Sequence, residues 1–433
     1  MIVSASGVRG VLNRDIDLAT FIDFTRRFAE STGSSEFLIA RDTRRTGPLV
    51  SRVVVSELLS QGARVIDYGV ISTPALFRES RVRRKPAIML SASHNEPEYN
   101  GLKFLVNGAG VGADTLAPGT SGEPRRGKRF DQGAVTRRTR ASYGDDLVKM
   151  FGEGSCEGVG VALDLGGGAA ISHAPDILKR LGCRVVSIND TPGLFSRRID
   201  PIADRLELLQ ELVRREDCSI GLGFDCDGDR LAIVDVNGKK RSGDFMLTLA
   251  LSQKLAGSKG TGVVVSVDTT QAVDQEVKKH GGHVFRSKVG EANVVGLMKE
   301  KGIVIGGEGS SGGLIDGSFN YCRDSMLAAL VIIRALKTRG VKIYDDVKSY
   351  HQERAALNLG RADALRGIKL LATKHDGADT TDGMKIWTST KSWVLIRVSG
   401  TEDVVRVSAE SESAQKARRM VQEYSAQLRE LSK

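Results

Sequence analysis

Three times along this chain of 433 residues, short apolar runs alternate with helical stretches, and then the pattern starts again. This alternation is the strongest constraint on the fold, because neighbouring parallel strands need a long crossover, usually a helix. In the first set Glu36–Ala40 reads as a strand ending at the polar Arg41-Asp42-Thr43-Arg44. Pro48–Leu59 reads as a helix, with proline near its start and Gly62 past its end, and Arg64–Tyr68 and Pro86–Leu90 as strands. The second set has Val159–Asp164, Cys183–Ile188, Ser219–Phe224 and Leu231–Val236, the last stopping at Asn237-Gly238. The third opens with a helix after Gly243-Asp244, followed by a strand at Gly262–Val267, a helix over about 270–280, a strand near 283–286 and a helix over about 291–301. The tail differs. Trp393–Val398 and Val404–Ser408 alternate like half-buried strands, and a helix follows with Ala414, Ala417, Met420, Val421, Tyr424, Leu428 and Leu431 on one face. The predicted class is α/β: three similar α/β domains with mixed sheets (1–145, 146–248, 249–355) and a smaller C-terminal α+β domain (356–433) around a central cleft.

Composition narrows the classes of function. Hydrophobic residues at 40% and charged residues at 27% describe an ordinary soluble globular chain. No apolar run reaches the roughly 20 residues that cross a bilayer. The opening MIVSASGVRGVLN has neither the charged start nor the apolar core of a secretory signal. The five cysteines are scattered without a CxxC pair, which speaks for a reducing cytoplasm and against a disulfide framework or structural zinc. The net charge of +10 suits an anionic partner, a sugar phosphate or a nucleic acid. Much of the excess lies in 125–140 (RRGKRFDQGAVTRRTR), yet aromatics are only 5% of the chain, and single-strand binding combines basic grooves with stacking rings. A solvated connector is the preferred reading of that stretch, ahead of a substrate-attracting rim, with nucleic acid last.

Four loops carry candidate chemistry. Ser91-Ala-Ser-His-Asn95 follows an apolar strand, where α/β sheets hold ligands. Ser93 is either a nucleophile or a turn residue, and no G-x-S-x-G elbow supports a hydrolase triad. Asp225-Cys-Asp-Gly-Asp-Arg230 follows the buried-looking strand Gly221–Phe224. Three carboxylates at alternate positions repel one another unless a cation gathers them, and hard oxygens in this number suit Mg²⁺. An EF-hand fails, because the glycine is fourth instead of sixth and Val236 stands twelfth. Arg230 adds a fixed charge suited to phosphate. Gly306-Gly-Glu-Gly-Ser-Ser-Gly-Gly313, expected as a loop after a strand Gly302–Ile305, either offers a carboxylate and two hydroxyls to a sugar or is a linker. Arg397-Val-Ser-Gly-Thr-Glu402, between the tail strands, is a phosphate cradle or a plain hairpin turn.

Together and in this order, the four loops resemble those of the α-D-phosphohexomutase superfamily, whose motifs are T-A-S-H-N-P, D-G-D-G-D-R, G-E-x-S-G and R-x-S-G-T. The likeness runs from Ser6-Gly-Val-Arg-Gly10 to the Arg397 loop. It implies an enzyme interconverting hexose 6-phosphate and hexose 1-phosphate through a phosphoserine and a bound hexose 1,6-bisphosphate, with the C-terminal domain closing over the cleft. Ser93 is then the phosphoryl carrier and, with Asp225, Asp227 and Asp229, a Mg²⁺ ligand. Arg9, His94, Lys103 and Arg230 match residues around the reacting centre, with Lys103 a candidate general acid/base and Asn95 flanking the nucleophile. Lys288, Glu308 and Ser310 or Ser311 match substrate contacts, and Arg397, Ser399, Gly400 and Thr401 the distal phosphate cradle. The implied partner is a phosphorylated hexose, with no membrane, in a cytoplasmic monomer or homodimer. The opening Ser-Gly-Val-Arg-Gly leans the sugar toward glucosamine phosphate, with mannose and glucose phosphates as the alternative.

The chain departs from these motifs at several points. Ser91 stands for the motif threonine, and Glu96 for the proline after His-Asn. Cys226 replaces a glycine between two implied metal ligands, Gly312-Gly313 stand where many members carry a histidine, and Val398 and Asp403 where prolines are common. None removes an essential functional group. Two other classes stay open: a phosphatase with an aspartate nucleophile at Asp225 or Asp227, and a non-catalytic basic binding protein.

Overall fold

A computed structural model of the chain describes residues 1–116, 133–138, 140–399 and 404–432. The first unit has strands β1 (Ile2–Ser4), β2 (Gly7–Val11), β3 (Glu36–Arg41), β4 (Arg64–Val70), β5 (Ala87–Leu90), β6 (Tyr99–Val106), β7 (Ala109–Val111) and β8 (Val135–Arg137), with helices α1 (Leu18–Thr32), α2 (Gly47–Ser60) and α3 (Thr73–Arg83). The second runs α4 (Tyr143–Phe151), β9 (Gly160–Asp164), α5 (Ala174–Arg180), β10 (Arg184–Ile188), α6 (Glu207–Arg215), β11 (Ile220–Phe224) and β12 (Leu231–Asp235). The third runs α7 (Gly243–Leu255), β13 (Val263–Ser266), α8 (Ala272–Lys279), β14 (Val284–Ser287), α9 (Glu291–Lys301), β15 (Ile305–Glu308), β16 (Gly313–Asp316) and α10 (Ser325–Arg339). The C-terminal unit has β17 (His351–Leu357), α11 (Arg361–Ala372), β18 (Met384–Ser389), β19 (Ser392–Val398), β20 (Val405–Ser411) and α12 (Ala414–Leu431). Residue 145 lies within α4, 248 within α7 and 355 within β17, which pairs with β20 in the last sheet.

One strand plan recurs three times. In the order β10-β9-β11-β12 the first three strands are parallel and β12 is antiparallel. The order β14-β13-β15-β16 repeats it. The first sheet contains it as β4-β3-β5-β6, widened by its remaining strands. The last sheet is antiparallel, β17-β20-β19-β18. The loops after β5, β11 and β15 therefore all join a third strand to its antiparallel fourth. Strands β9, β11 and β12 are buried along their whole length, so they read as apolar runs without alternation, as strands covered on both faces do.

Two expectations are corrected. Gly306-Gly307-Glu308 belongs to β15 and not to a loop, which begins at Gly309. The glycines let this strand pass close to its neighbour, since a Cβ on Gly306 would lie 2.6 Å from the Val264 carbonyl oxygen. Ala414, expected on the packed face of α12, is the first residue after the N-cap Ser413 and stays exposed, whereas Ala417, Met420, Val421, Tyr424 and Leu428 are buried. Most of the basic stretch 125–140 lies outside the described residues. All five cysteines are free and buried. Among the described residues no helix is long and apolar enough to cross a membrane.

The C-terminal unit docks on the third through a buried polar cluster. Lys385 Nζ donates to the Val267 carbonyl at 2.6 Å and stands 4.2 Å from the centre of the Trp393 ring. Glu410 accepts from Trp393 Nε1 at 2.9 Å, Gln271 N at 3.0 Å and Gln352 Nε2 at 2.9 Å. Burial, with the Arg286 cation nearby, lowers the Lys385 pKa to about 7. The unfolded chain keeps that proton to about pH 10.4. Between those values the unfolded state binds more protons, so the Lys385 contribution to stability rises with pH, and its penalty is complete only below about pH 7. Replacing Lys385→Met removes this slope. The deficit of the variant's thermal midpoint relative to wild type is expected to be larger at about pH 9 than at about pH 7, and an equal deficit at both would refute the assignment.

Candidate active site

Beyond β5 the chain turns sharply, with the Ser93 N–H donating to Ser91 Oγ at 2.8 Å. Ser93 has a φ of 52°, a left-handed conformation that costs roughly 1–2 kcal/mol for a residue with a Cβ. Arg44 supplies the restraint. Its Nη2 donates to the carbonyls of Ser93 (2.8 Å) and Asn95 (2.7 Å), its Nη1 to that of Glu96, and its Nε to Asp42 Oδ2 at 3.1 Å. One guanidinium, 1% exposed, thus satisfies the buried carbonyls of the loop. Glu96 stands where a proline was expected, and its carbonyl closes the turn by accepting from Tyr99 N at 3.0 Å. Arg9 Nη1 donates to Asn95 Oδ1 at 3.0 Å. Ser93 Oγ ends 3.2 Å from Asp225 Oδ2.

In the acidic loop Asp227 and Asp229 are each held through one oxygen, and Asp225 turns its second oxygen to Ser93 Oγ. Asp225 Oδ1 accepts from the N–H groups of Asp229 (3.0 Å) and Arg230 (3.2 Å). Asp227 Oδ2 accepts from Thr73 Oγ1 and Lys103 Nζ, both at 2.5 Å. Asp229 Oδ2 takes Lys103 Nζ at 3.0 Å and Arg323 Nη2 at 2.9 Å. The second oxygens of Asp227 and Asp229 are buried without a hydrogen-bond partner. One ligand oxygen from each aspartate lies within 4.8 Å of the others. Buried carboxylate oxygens left so are costly, and a set of hard oxygens at this spacing fits a divalent cation. Cys226, between two of them, engages Thr43 Oγ1 at 3.7 Å instead.

The charges sort the protonation states. Burial, with Asp229 and Asp227 beside it, pushes the Asp225 carboxyl well up. Burial also opposes the charge on Asp229, but Arg323, Lys103 and Arg230 outweigh it and hold that carboxyl below the usual range. Desolvation disfavours the Lys103 ammonium, and Asp227 and Asp229 overcome it and raise its pKa. Burial, with Arg230, Arg9 and Arg323, keeps His94 neutral by pulling its imidazole well down. His94 Nε2 lies 3.4 Å from Arg230 Nη2, and Arg230 Nη1 donates to Asp200 Oδ2 at 2.8 Å.

Arg9, Ser93, His94, Lys103 and Arg230 line a cleft of about 950 Å³ to which all four units contribute. Lys288, Glu308, Ser310 and Ser311 line it from the third unit, and Arg397 and Ser399 from the C-terminal one. Glu308 Oε1 accepts from Gly290 N at 2.7 Å. Ser311 is buried, with Oγ 3.4 Å from Glu308 Oε2, and Ser310 is partly exposed. Arg397 Nε lies 3.9 Å from Asp382 Oδ2. Gly400 and Thr401 lie outside the described residues.

Sequence reasoning missed Arg44, Thr73 and Arg323. Arg44 was visible as a charge in the polar stretch that ends β3, next to the serine strand in the sheet. Thr73, at the start of α3, and Arg323, just before the α10 N-cap Asp324, carry no local signal, because their partners are far away in the chain. Replacing Arg44→Met takes the guanidinium donor from Asp42 Oδ2 and from three loop carbonyls, of which Glu96 keeps its bond from Tyr99 N. It is expected to destabilise the protein by about 3 kcal/mol or more, read as a fall in the thermal midpoint. Arg44→Lys should recover only part of this, since an ammonium cannot fork across the same partners.

Sequence models for phosphoglucomutase/phosphomannomutase alpha/beta/alpha domains I, II and III match residues 1–117, 142–238 and 242–353, and the model for the C-terminal domain matches 357–427. A protein of Methanopyrus kandleri named "Probable phosphoglucosamine mutase" is 30% identical over 97% of this chain and 96% of its own length. A protein of Thermococcus kodakarensis named "Phosphoglucomutase/phosphomannomutase" is 30% identical over 95% of both chains. The crystal structure of a phosphoglucomutase/phosphomannomutase family protein from Burkholderia thailandensis shares the fold, with a TM-score of 0.84 at 24% identity, covering 100% of this chain and 98% of that one. With likeness over nearly the whole length of both chains, this protein belongs to the phosphoglucomutase/phosphomannomutase family, the α-D-phosphohexomutases.

Proposed function

We propose that this phosphohexomutase interconverts the 6- and 1-phosphates of a hexose through phosphoserine at Ser93, with hexose 1,6-bisphosphate as bound intermediate and activator. The observation that carries the reading is the 3.2 Å between Ser93 Oγ and Asp225 Oδ2, which joins a hydroxyl to an acidic triad with two unpartnered oxygens. Asp225, Asp227, Asp229 and Ser93 would hold Mg²⁺, which when bound neutralises charge on the transferring phosphoryl group.

The chain's own residues do the rest. The P–Oγ bond of the phosphoserine breaks as a free hydroxyl oxygen of the hexose monophosphate bonds to phosphorus, the proton of that hydroxyl ending on Ser93 Oγ, and the reverse transfer of the other phosphate restores phosphoserine and returns a proton to the sugar oxygen. Such transfer asks for in-line placement and charge neutralisation more than a strong base. Arg9, Lys103 and Arg230 supply cations around Ser93, and neutral His94 flanks it. Lys103, the candidate general acid/base, is held as an ammonium by two aspartates that raise its pKa, which favours charge neutralisation over proton donation. Glu308 with Ser310 or Ser311 reads sugar hydroxyls, Lys288 contacts substrate, and Arg397, Ser399, Gly400 and Thr401 cradle the distal phosphate. A cradle that accepts either phosphate lets the bisphosphate turn over, and an enclosed cleft protects phosphoserine from water. Glucosamine phosphate is the preferred sugar, supported by the opening Ser-Gly-Val-Arg-Gly and by the name of the Methanopyrus relative. The Thermococcus relative's name favours a second reading, broad action on glucose and mannose phosphates.

A coupled assay with Mg²⁺ and a trace of hexose 1,6-bisphosphate, run on glucosamine, glucose and mannose phosphates, tests both readings. Wild type should convert at least one, with glucosamine phosphate fastest. Chelation by EDTA should abolish conversion and added Mg²⁺ restore it. Ser93→Ala should lose at least about 10³-fold in kcat. Turnover that survives Ser93→Ala would move the chemistry to an aspartate.

A further inference from the structure

Three carboxylates meet at an arginine that none of the motif loops contains. Arg323 Nη2 donates to Asp229 Oδ2 at 2.9 Å, Nη1 to Glu308 Oε2 at 3.2 Å, and Nε lies 3.2 Å from Glu291 Oε2. The Arg323 backbone N–H also donates to Glu291 Oε2, at 2.8 Å. The side chain is only 12% exposed. Its position is fixed from behind, because the next residue, Asp324, caps α10 and donates its N–H to the Leu314 carbonyl at 2.9 Å.

The path of this side chain depends on Gly313. A Cβ there would lie 2.3 Å from Arg323 Cδ and 2.4 Å from Cγ. No real side chain at 313 can share that space with the arginine stem. Gly313 has no positive φ, so what keeps a side chain out is room and not backbone strain. The glycine that departs from the superfamily pattern is therefore the opening through which a guanidinium from a later segment enters the cleft.

The three carboxylates have different tasks. Asp229 belongs to the acidic loop of the second unit, Glu308 to the Gly/Ser segment of the third, and Glu291 begins α9 just after the Lys288 segment. The two Nη groups hydrogen-bond Asp229 and Glu308 at once while Nε faces Glu291, which the Arg323 backbone N–H holds, and a lysine cannot reproduce that planar fork. A permanent cation beside Asp229 also competes with any divalent cation bound to the triad, by Coulomb repulsion across a few ångströms of low-dielectric interior.

We propose that Arg323 is a positioning residue that clamps the acidic loop to the sugar-facing Glu308, and that it weakens divalent-cation binding in return for that alignment. This rests on the reading of the cleft as a phosphohexomutase site. Cation binding and sugar recognition are thereby built into one rigid arrangement, although the two loops belong to different units. The cation requirement and sugar affinity are then set partly by a residue that belongs to neither loop.

The test uses full-length protein freed of metal, titrated with Mn²⁺ and followed by electron paramagnetic resonance, alongside kinetics on the hexose phosphate that wild type converts best. Arg323→Gln should bind Mn²⁺ about tenfold more tightly, because a competing charge is gone, while KM for the sugar phosphate rises at least about tenfold as Glu308 loses its anchor. Arg323→Lys should keep wild-type Mn²⁺ affinity within about threefold yet show the raised KM, because it retains charge but not the fork. Gly313→Ala, which leaves every charge in place and pushes the arginine stem aside, should shift both quantities in the same directions as Arg323→Gln. Circular dichroism and the thermal midpoint identify any variant that fails to fold, and the remaining two then decide. Mn²⁺ affinity that falls together with activity in folded Arg323→Gln or Gly313→Ala would overturn the proposal. So would an Arg323→Lys variant identical to wild type in both measurements. The Mn²⁺ titration needs no turnover. A wild type that converts no hexose phosphate would sink the function proposed above, while the direction of the Mn²⁺ shifts would still decide the clamp.

Discussion

The cleft depends on the burial of three aspartates on one short loop. Asp225, Asp227 and Asp229 are each at most 1% exposed, and an unpaired charge in such a place costs several kcal/mol. Within their own unit the N–H groups of Asp229 and Arg230 donate to Asp225, and much of the remaining compensation comes from outside it. Lys103 stands on β6 of the first unit, Thr73 opens α3, and Arg323 precedes α10 of the third. The backbone is tied as well, with Thr73 N donating to the Asp227 carbonyl at 2.8 Å and Ser325 Oγ to that of Gly228 at 2.6 Å. The acidic loop is therefore the joint at which three units meet. Removing one partner would leave a buried charge exposed to its neighbours, so the cleft and the packing of the units share the same interactions.

Repetition explains how the other loops arrive there. In each α/β unit the candidate segment joins the third strand of the sheet to an antiparallel fourth: β5 to β6 around Ser93, β11 to β12 around the aspartates, and β15 to β16 around Glu308. Open α/β sheets bind ligands outside the carboxyl ends of their strands, and here three such ends line one cleft. The C-terminal unit reaches the cleft differently, with Arg397 and Arg406 paired across antiparallel β19 and β20, and is fastened to the third unit by Lys385 and Glu410.

Much of this was legible before any coordinates. Strands β9, β11 and β12 of the second unit stood out because they are buried along their whole length and almost wholly apolar, and α9 was placed at its observed limits. The four motif segments could be found because each gathers its chemistry within a few residues. Gly306-Gly307 misled, since glycine-rich sequence reads as a loop, whereas here the absence of Cβ atoms lets β15 lie against β13. Arg44 was in view but had no stated task, because its partners are carbonyls of a loop about fifty residues later. Arg323 could not be singled out at all, because nothing local distinguishes it from any arginine that precedes a helix.

By itself, the sequence determined the alternation of strands and helices, the order of the four motif loops and the residue types they contain. Periodicity and short spacings are local properties, written into neighbouring side chains. Only the tertiary structure decided which cation meets which carboxylate, which oxygens remain without a partner, and that a glycine in one strand opens the path of an arginine ten residues on. Those outcomes depend on distances between segments that are remote in the chain, and electrostatic and steric energies follow distance in space and not separation in sequence.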